Sequence, residues 1–118
     1  MQLIEEQIGS VLVVKPLEKR LDAFVAADFK ERMASSIRGG KEWILLDLQE
    51  VEFIDSSGLG AIVASLKMLS GNGDLMIAGA TNTVSGLFKL TRMDRVFQIF
   101  ADREQALAAM KAKLSQSR

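Results

Sequence analysis

A chain of 118 residues with 15 basic and 15 acidic side chains, 48% hydrophobic and lacking both cysteine and histidine, fits one domain, residues 1–118. The balanced charge leaves no basic stripe for nucleic acid, and the missing residue types exclude disulfides, thiolate or imidazole metal sites and Ser-His-Asp catalysis. No stretch approaches the roughly 18 apolar residues of a membrane helix, and Met1 to Glu6 lacks the basic start and apolar core of a secretion signal, so a cytoplasmic protein is expected.

Leu3 to Ile8 and Val11 to Lys15 read as two short strands across Gly9-Ser10, with Pro16 ending the second. Asp22 is placed to cap a first helix whose apolar residues Val25, Phe29, Met33 and Ile37 recur every four positions, and Gly39-Gly40 closes it. Trp43 to Leu48 is a near-continuous apolar run, as expected of a strand buried on both faces, and Val51 to Ile54 continues it. After Ser57, the spacing of Leu59, Ile62, Val63, Leu66 and Leu69 predicts a second helix with that stripe in the core. Gly71-Asn72-Gly73 reads as a stop and a turn, too short to cradle a phosphate. Asp74 to Gly79 then gives a strand, Val84, Leu87, Phe88 and Thr91 a short helix, and Val96 to Phe100 a fifth strand. Asp102 and Gln105 open a last helix in capping-box fashion, with Leu107, Met110 and Leu114 inward. Trp43 and the six phenylalanines are assigned to the core. Two strands followed by alternating helices and strands predict an α/β fold: a mixed, mostly parallel sheet of about five strands with about four helices packed on it.

The most informative segment is Asp55-Ser56-Ser57-Gly58-Leu59-Gly60, where an apolar run hands over to the helical pattern. A helix N-terminus carries unpaired N–H groups and a positive dipole, so negative charge is favoured there. A serine at that point either caps the helix or accepts a phosphate. The predicted core stripe leaves Gly60, Ala61, Ala64 and Met68 on the outer face with only Lys67 charged nearby. Such a small-residue surface lets another protein's backbone come close, although alanine is also simply a good helix former. Asp47 and Asp55 raise the idea of a receiver-type aspartate phosphoacceptor, but Asp47 lies inside an apolar strand and no acidic pair precedes it. Lys89, Arg92 and Arg95 read as a solvated face. Nothing assembles a nucleophile with a base, so no catalysis is expected.

On these residues the chain resembles anti-sigma factor antagonists of the STAS superfamily. The likeness is strongest over Phe53-Ile54-Asp55-Ser56-Ser57-Gly58-Leu59-Gly60, with support from Ile44-Leu45-Leu46-Asp47-Leu48 and Leu87-Phe88-Lys89-Leu90-Thr91. It spans essentially the whole chain. The resemblance implies a STAS-like fold in which Ser56, directly after the aspartate, is the phosphoacceptor. It implies that Ser57 supports docking, and that Asp22 matches an aspartate lying near the phosphorylation site. Asp55, Gly58, Gly60, Ala61, Ala64 and Met68 complete the expected partner-binding set. Unphosphorylated members of this family bind an anti-sigma factor that is also a serine kinase of the GHKL ATPase type, and so release a sigma factor. Phosphorylation ends the binding and a PP2C-like phosphatase restores it. ATP and Mg²⁺ then belong to the partners, and the chain itself needs no cofactor. Two other outputs fit the resemblance: the same switch acting on a secretion, motility or biofilm regulator, or a constitutive scaffold or ligand-binding domain with Ser56 only a cap. Two departures stand out. Lys19-Arg20-Leu21 replaces the usual glycine and acidic residue before the aspartate matched by Asp22, and Arg92 replaces the usual glycine after the third helix.

Overall fold

The computed structural model describes residues 1–69, 71 and 73–116. In chain order the elements are β1 (Leu3–Ile8), β2 (Val11–Pro16), β3 (Arg20–Leu21), α1 (Ala26–Arg38), β4 (Trp43–Asp47), β5 (Phe53–Ile54) and α2 (Ser56–Met68), followed by β6 (Asp74–Ala78), α3 (Asn82–Leu90), a 3-10 turn at Met93–Arg95, β7 (Ile99–Phe100) and α4 (Arg103–Gln116). A five-stranded sheet runs in the order β1-β2-β4-β6-β7, antiparallel only between β1 and β2. β3 and β5 form a separate parallel pair. The α/β fold with its mixed sheet is the one expected.

Strand alternation divides the core in two. Leu12, Ile44 and Leu75 stand in register, as do Val13, Leu45 and Met76 one residue further on, so each row faces an opposite side of the sheet. The first side carries Phe29 and Met33 of α1, Ile62 of α2, and Val84 and Phe88 of α3. The second is covered by Ala106 and Met110 of α4. All five residues of β4 are buried, which is why its sequence runs apolar without alternation.

Several sequence expectations are corrected. Asp22 does not cap α1: the helix begins at Ala26, with Val25 at the cap position and no side-chain cap bond. The Asp22 carboxylate instead accepts the Phe24 N–H at 3.0 Å, while its carbonyl accepts those of Val25 (3.1 Å) and Ala26 (2.8 Å). A short aspartate side chain bonds the N–H two residues on more readily than one further away, and that builds a separate turn before the helix. The second helix is rolled only partly relative to the predicted stripe, whose Ile62 and Leu69 are buried and whose Leu59, Val63 and Leu66 pack against the core at its margin. Gly58, Ala61, Ile62 and Ser65 are its buried residues, whereas Leu59, Val63 and Leu66 are half-buried. Of the expected outer face, Ala61 thus turns inward, while Gly60 stays exposed and Ala64 and Met68 are half-buried. Buried Ser65 is accommodated by donating its hydroxyl to the Ala61 carbonyl at 2.8 Å. The last strand is shorter than Val96 to Phe100, because the 3-10 turn swings Phe97 into the core edge-on to Phe88, centroids 6.0 Å apart. In α4 the buried pair is Ala106 and Met110, with Leu107 and Leu114 at the margin, and the Asp102 carboxylate accepts the Gln105 N–H at 2.9 Å. Not all phenylalanines are core: Phe24 is 96% exposed and Phe53 38%. Of the turn read at 71–73, Asn72 lies outside the described residues.

Arg92 adopts φ 61°, ψ 20°, and among the described residues it alone has positive φ without being glycine. Left-handed backbone disfavours a residue with a Cβ, so the position keeps a glycine conformation that its side chain opposes. Arg92→Gly is therefore expected to stabilise the fold by about 0.5–1 kcal/mol, the relieved strain exceeding the extra freedom of the unfolded chain. A rise in the urea midpoint at unchanged slope is the measurement that checks this.

Candidate functional site

β5 delivers Asp55 in extended conformation (φ −96°, ψ −176°) to the N-cap of α2. Its Oδ1 accepts the Gly58 N–H at 2.9 Å, which satisfies one of the helix's unpaired donors. Its Oδ2 accepts the Ala23 N–H at 3.1 Å, and its own N–H donates to the Leu21 carbonyl at 3.2 Å. One carboxylate thus fastens the helix start to the Asp22 turn. The approach is close: a Cβ on Gly58 would stand 2.1 Å from the Leu21 carbonyl oxygen, so only glycine fits.

Ser56 and Ser57 are therefore the first two helical residues and not caps. Both are exposed, and among the described residues neither hydroxyl makes a hydrogen bond to protein. This corrects the reading of Ser56 as a cap, since Asp55 does that work. An exposed, unengaged hydroxyl at a helix N-terminus is chemically available, and the field there favours an anion.

Below the serines, Gly60, Ala64 and Met68 follow Ser56 at four-residue steps, which places them on one helix face. Gly60 is exposed, with no atom within 4 Å of a built Cβ, and Ala64 and Met68 are half-buried. Ala61 and Gly58 are buried and present no side-chain surface to a partner. Asp22 is half-buried and Asp55 likewise, and both act through the bonds just given.

Three residues of this surface were not singled out as site residues from sequence. Arg20 stacks on Phe53, its guanidinium carbon 4.3 Å from the ring centroid, and its Nε donates to the Asp22 Oδ2 at 3.3 Å. Phe24 projects into solvent from the turn that Asp22 and Asp55 hold. Its signal was its phase, since Phe24 lies off the Val25, Phe29, Met33 repeat. Elsewhere, Asp47 is no phosphoacceptor: its Oδ2 is paired with Arg103 Nη2 at 3.0 Å, its Oδ1 accepts the Gln49 N–H at 3.0 Å, and it is buried. The Asp28 carboxyl, outside the site, is held below its ordinary pKa by a hydrogen bond from the N-terminal ammonium.

Over residues 2–106 the chain matches the STAS domain, and it belongs to that family. An anti-sigma-B factor antagonist from Listeria monocytogenes is 34% identical over 82 residues, covering 67% of this chain and 70% of the relative. A candidate anti-sigma factor antagonist from Thermotoga maritima superposes with TM-score 0.86 at 27% identity, covering 92% of this chain and 94% of that one. The Bacillus anti-sigma factor antagonist SpoIIAA in its unphosphorylated form shares the fold (TM-score 0.79, 18% identity, 94% of this chain and 97% of that one), and it is also known in a phosphorylated form.

The two glycines of the site predict opposite responses to alanine. Gly58→Ala should cost about 3 kcal/mol or more, because backbone must move to admit the Cβ. Gly60→Ala should gain about 0.5–1 kcal/mol, since the added methyl meets open space and the helix gains propensity. Denaturant unfolding of both variants checks the pair.

Proposed function

We propose that this STAS domain is an anti-sigma factor antagonist whose binding is switched by phosphorylation of Ser56. The observation that carries the reading is the free, exposed Ser56 hydroxyl on a helix start whose capping is done by Asp55. The names of the relatives supply the output, and the two forms of SpoIIAA supply a precedent for the modification in the fold.

In the unphosphorylated state the chain binds an anti-sigma factor that is a GHKL-type serine kinase, and so frees its sigma factor. Docking uses Ser56, Ser57, Gly60, Ala64 and Met68, with Phe24 as an aromatic anchor at the edge. The kinase carries the γ-phosphoryl of its ATP to the Ser56 oxygen; ADP leaves and the hydroxyl proton is lost. The added charge of about −1.5 to −2 is tolerated by the helix dipole but is desolvated and repelled in a docked interface. Coupling of about 1–3 kcal/mol between phosphate and partner changes affinity about 5–150-fold, enough for a switch. Hydrolysis of the phosphoester by a PP2C-like phosphatase resets the protein. The chain is ligand and substrate throughout, acts in the cytoplasm, and holds no ATP or metal of its own.

Intact mass and peptide mapping of protein from its native cells should find one phosphatase-sensitive phosphate, on Ser56. Titrated against the kinase purified from the same cells, Ser56→Asp should lose affinity about ten-fold or more, while its unfolding midpoint stays near wild type. Phe24→Ala should weaken binding by about 1–2 kcal/mol with no loss of fold stability, since the ring packs against nothing internal. Unphosphorylated Ser56 under every growth condition, or undiminished binding by Ser56→Asp, would sink the switch. A captured partner that controls no sigma factor would keep the switch and change its output.

A further inference from the structure

We infer that Arg20 is a built-in receptor for the phosphate on Ser56: on phosphorylation its guanidinium leaves Asp22 and grips the phosphoserine across the β3–β5 pair. The inference rests on Ser56 as the modified residue, and it assigns a role to a basic position that departs from the family pattern.

The geometry begins with the register. Arg20 pairs with Phe53 and Leu21 with Ile54 in a parallel ladder, so Ser56 follows Arg20's partner by three residues, beyond the end of β5 and the extended Asp55 cap, at the first position of α2. With strands about 4.8 Å apart and a rise of about 3.3 Å per extended residue, the Cα atoms of Arg20 and Asp55 are about 8 Å apart, and Ser56 follows about 3.8 Å on as the helix begins. The Arg20 Nε reaches the Asp22 carboxylate, which itself points onward to the Phe24 N–H. The guanidinium lies over the ring of Phe53, its cross-strand partner, with Nε turned towards the Asp22 carboxylate, so reaching Ser56 takes a swing of the side chain off Phe53 and past the Asp22 turn.

The existing hold on Arg20 is weak. Its bond to Asp22 is single, 3.3 Å long, and made by a side chain 62% exposed, the kind of surface pair that adds little to stability. Among the described residues the two Nη groups donate to no protein acceptor, so the fork edge that suits a phosphate is unused. The Phe53 ring lies against the guanidinium, an exposed cation–π contact that is itself modest. A phosphate at Ser56, by contrast, has Asp55 one residue before it in sequence and the Asp22 turn bonded to that same carboxylate. The dianion is the stronger acceptor and needs a counter-charge, so exchange of Asp22 for phosphate places the arginine on the larger charge and forms charge-assisted bonds in one movement. Phosphorylation then alters two things a partner meets: Ser56 gains an immobilised phosphate, and Asp22 is released as an unpaired carboxylate.

The test installs phosphoserine at position 56 by genetic encoding in the full chain, in wild type, Arg20→Gln, Arg20→Lys and Asp22→Asn backgrounds. The Arg20 side-chain Nε–H is followed by nitrogen-edited NMR, and urea unfolding constants are compared with and without the phosphate. The wild-type Arg20 resonance should move downfield and exchange more slowly on phosphorylation. The phosphate should lower the unfolding constant about five-fold or more in wild type relative to Arg20→Gln, with Arg20→Lys between them. Asp22→Asn should enlarge the effect by freeing the arginine beforehand. An Arg20 resonance indifferent to the phosphate, or the same phosphate effect in wild type and Arg20→Gln, overturns the inference. If Arg20→Gln fails to fold, the wild-type resonance decides alone. Because the phosphate is installed synthetically, the result is independent of whether native cells modify Ser56, which is the mass measurement's question.

Discussion

The Asp55 carboxylate is the interaction on which the site depends. Its two oxygens face in different directions, one into the α2 N-terminus and one onto the Ala23 N–H, so a single side chain fixes both the helix start and the turn beside it. A helix cap is worth about 1 kcal/mol, and a hydrogen bond to a charged group about 1.5–3 kcal/mol. The consequence reaches beyond stability. Three cap-competent residues stand in a row, Asp55, Ser56 and Ser57, and only one can hold the extended backbone a cap requires. Because the aspartate takes that role, Ser56 and Ser57 fall one and two steps inside the helix, where among the described residues neither hydroxyl bonds to protein, and the modification proposed at Ser56 is separated from support of the fold.

The sheet makes that separation safe. β4 is buried along its whole length between layers, and the parallel strands on either side continue the apolar rows. Fully burying each large aliphatic side chain contributes about 1.5–3 kcal/mol. A charge added at the first turn of α2 exchanges only about 0.3–1 kcal/mol with the helix dipole, small beside a typical domain stability of about 5–15 kcal/mol. A modification there is therefore felt by whatever touches the surface and hardly at all by the core.

Much of this was legible in the sequence because it follows from local rules. The unbroken apolar run of β4, the glycine stop after α1 and the Asp102 cap each depend on neighbours in the chain. What was not legible depends on approach between distant segments. The roll of α2 is set by Gly58 meeting the Leu21 carbonyl, a contact between residues far apart in sequence, and both the leucine stripe and the small-residue stripe have helical spacing. Asp22 has a good capping position by spacing, yet its carboxylate found a nearer N–H. Phe24 and Phe53 were assigned to the core by type, although apolar residues inside is a rule that does not run backwards. Arg92 shows the converse: the backbone kept its left-handed turn when the residue suited to it was absent.

These differences sort the site's residues by what their removal would disturb. Asp55, Gly58 and Leu21 are held in bonds and close contacts of the fold, and their identities are constrained from within. Ser56, Gly60 and Phe24 are exposed, and among the described residues no side-chain hydrogen bond holds them. Phe24 is the clearest case. Its backbone is fixed by the turn, and water must accommodate an apolar surface that the protein leaves uncovered. A residue of that kind stabilises nothing in the isolated chain. Under the proposed function, its favourable contribution comes from a partner surface brought to it, beside the Ser56 hydroxyl whose phosphorylation would decide whether that surface stays.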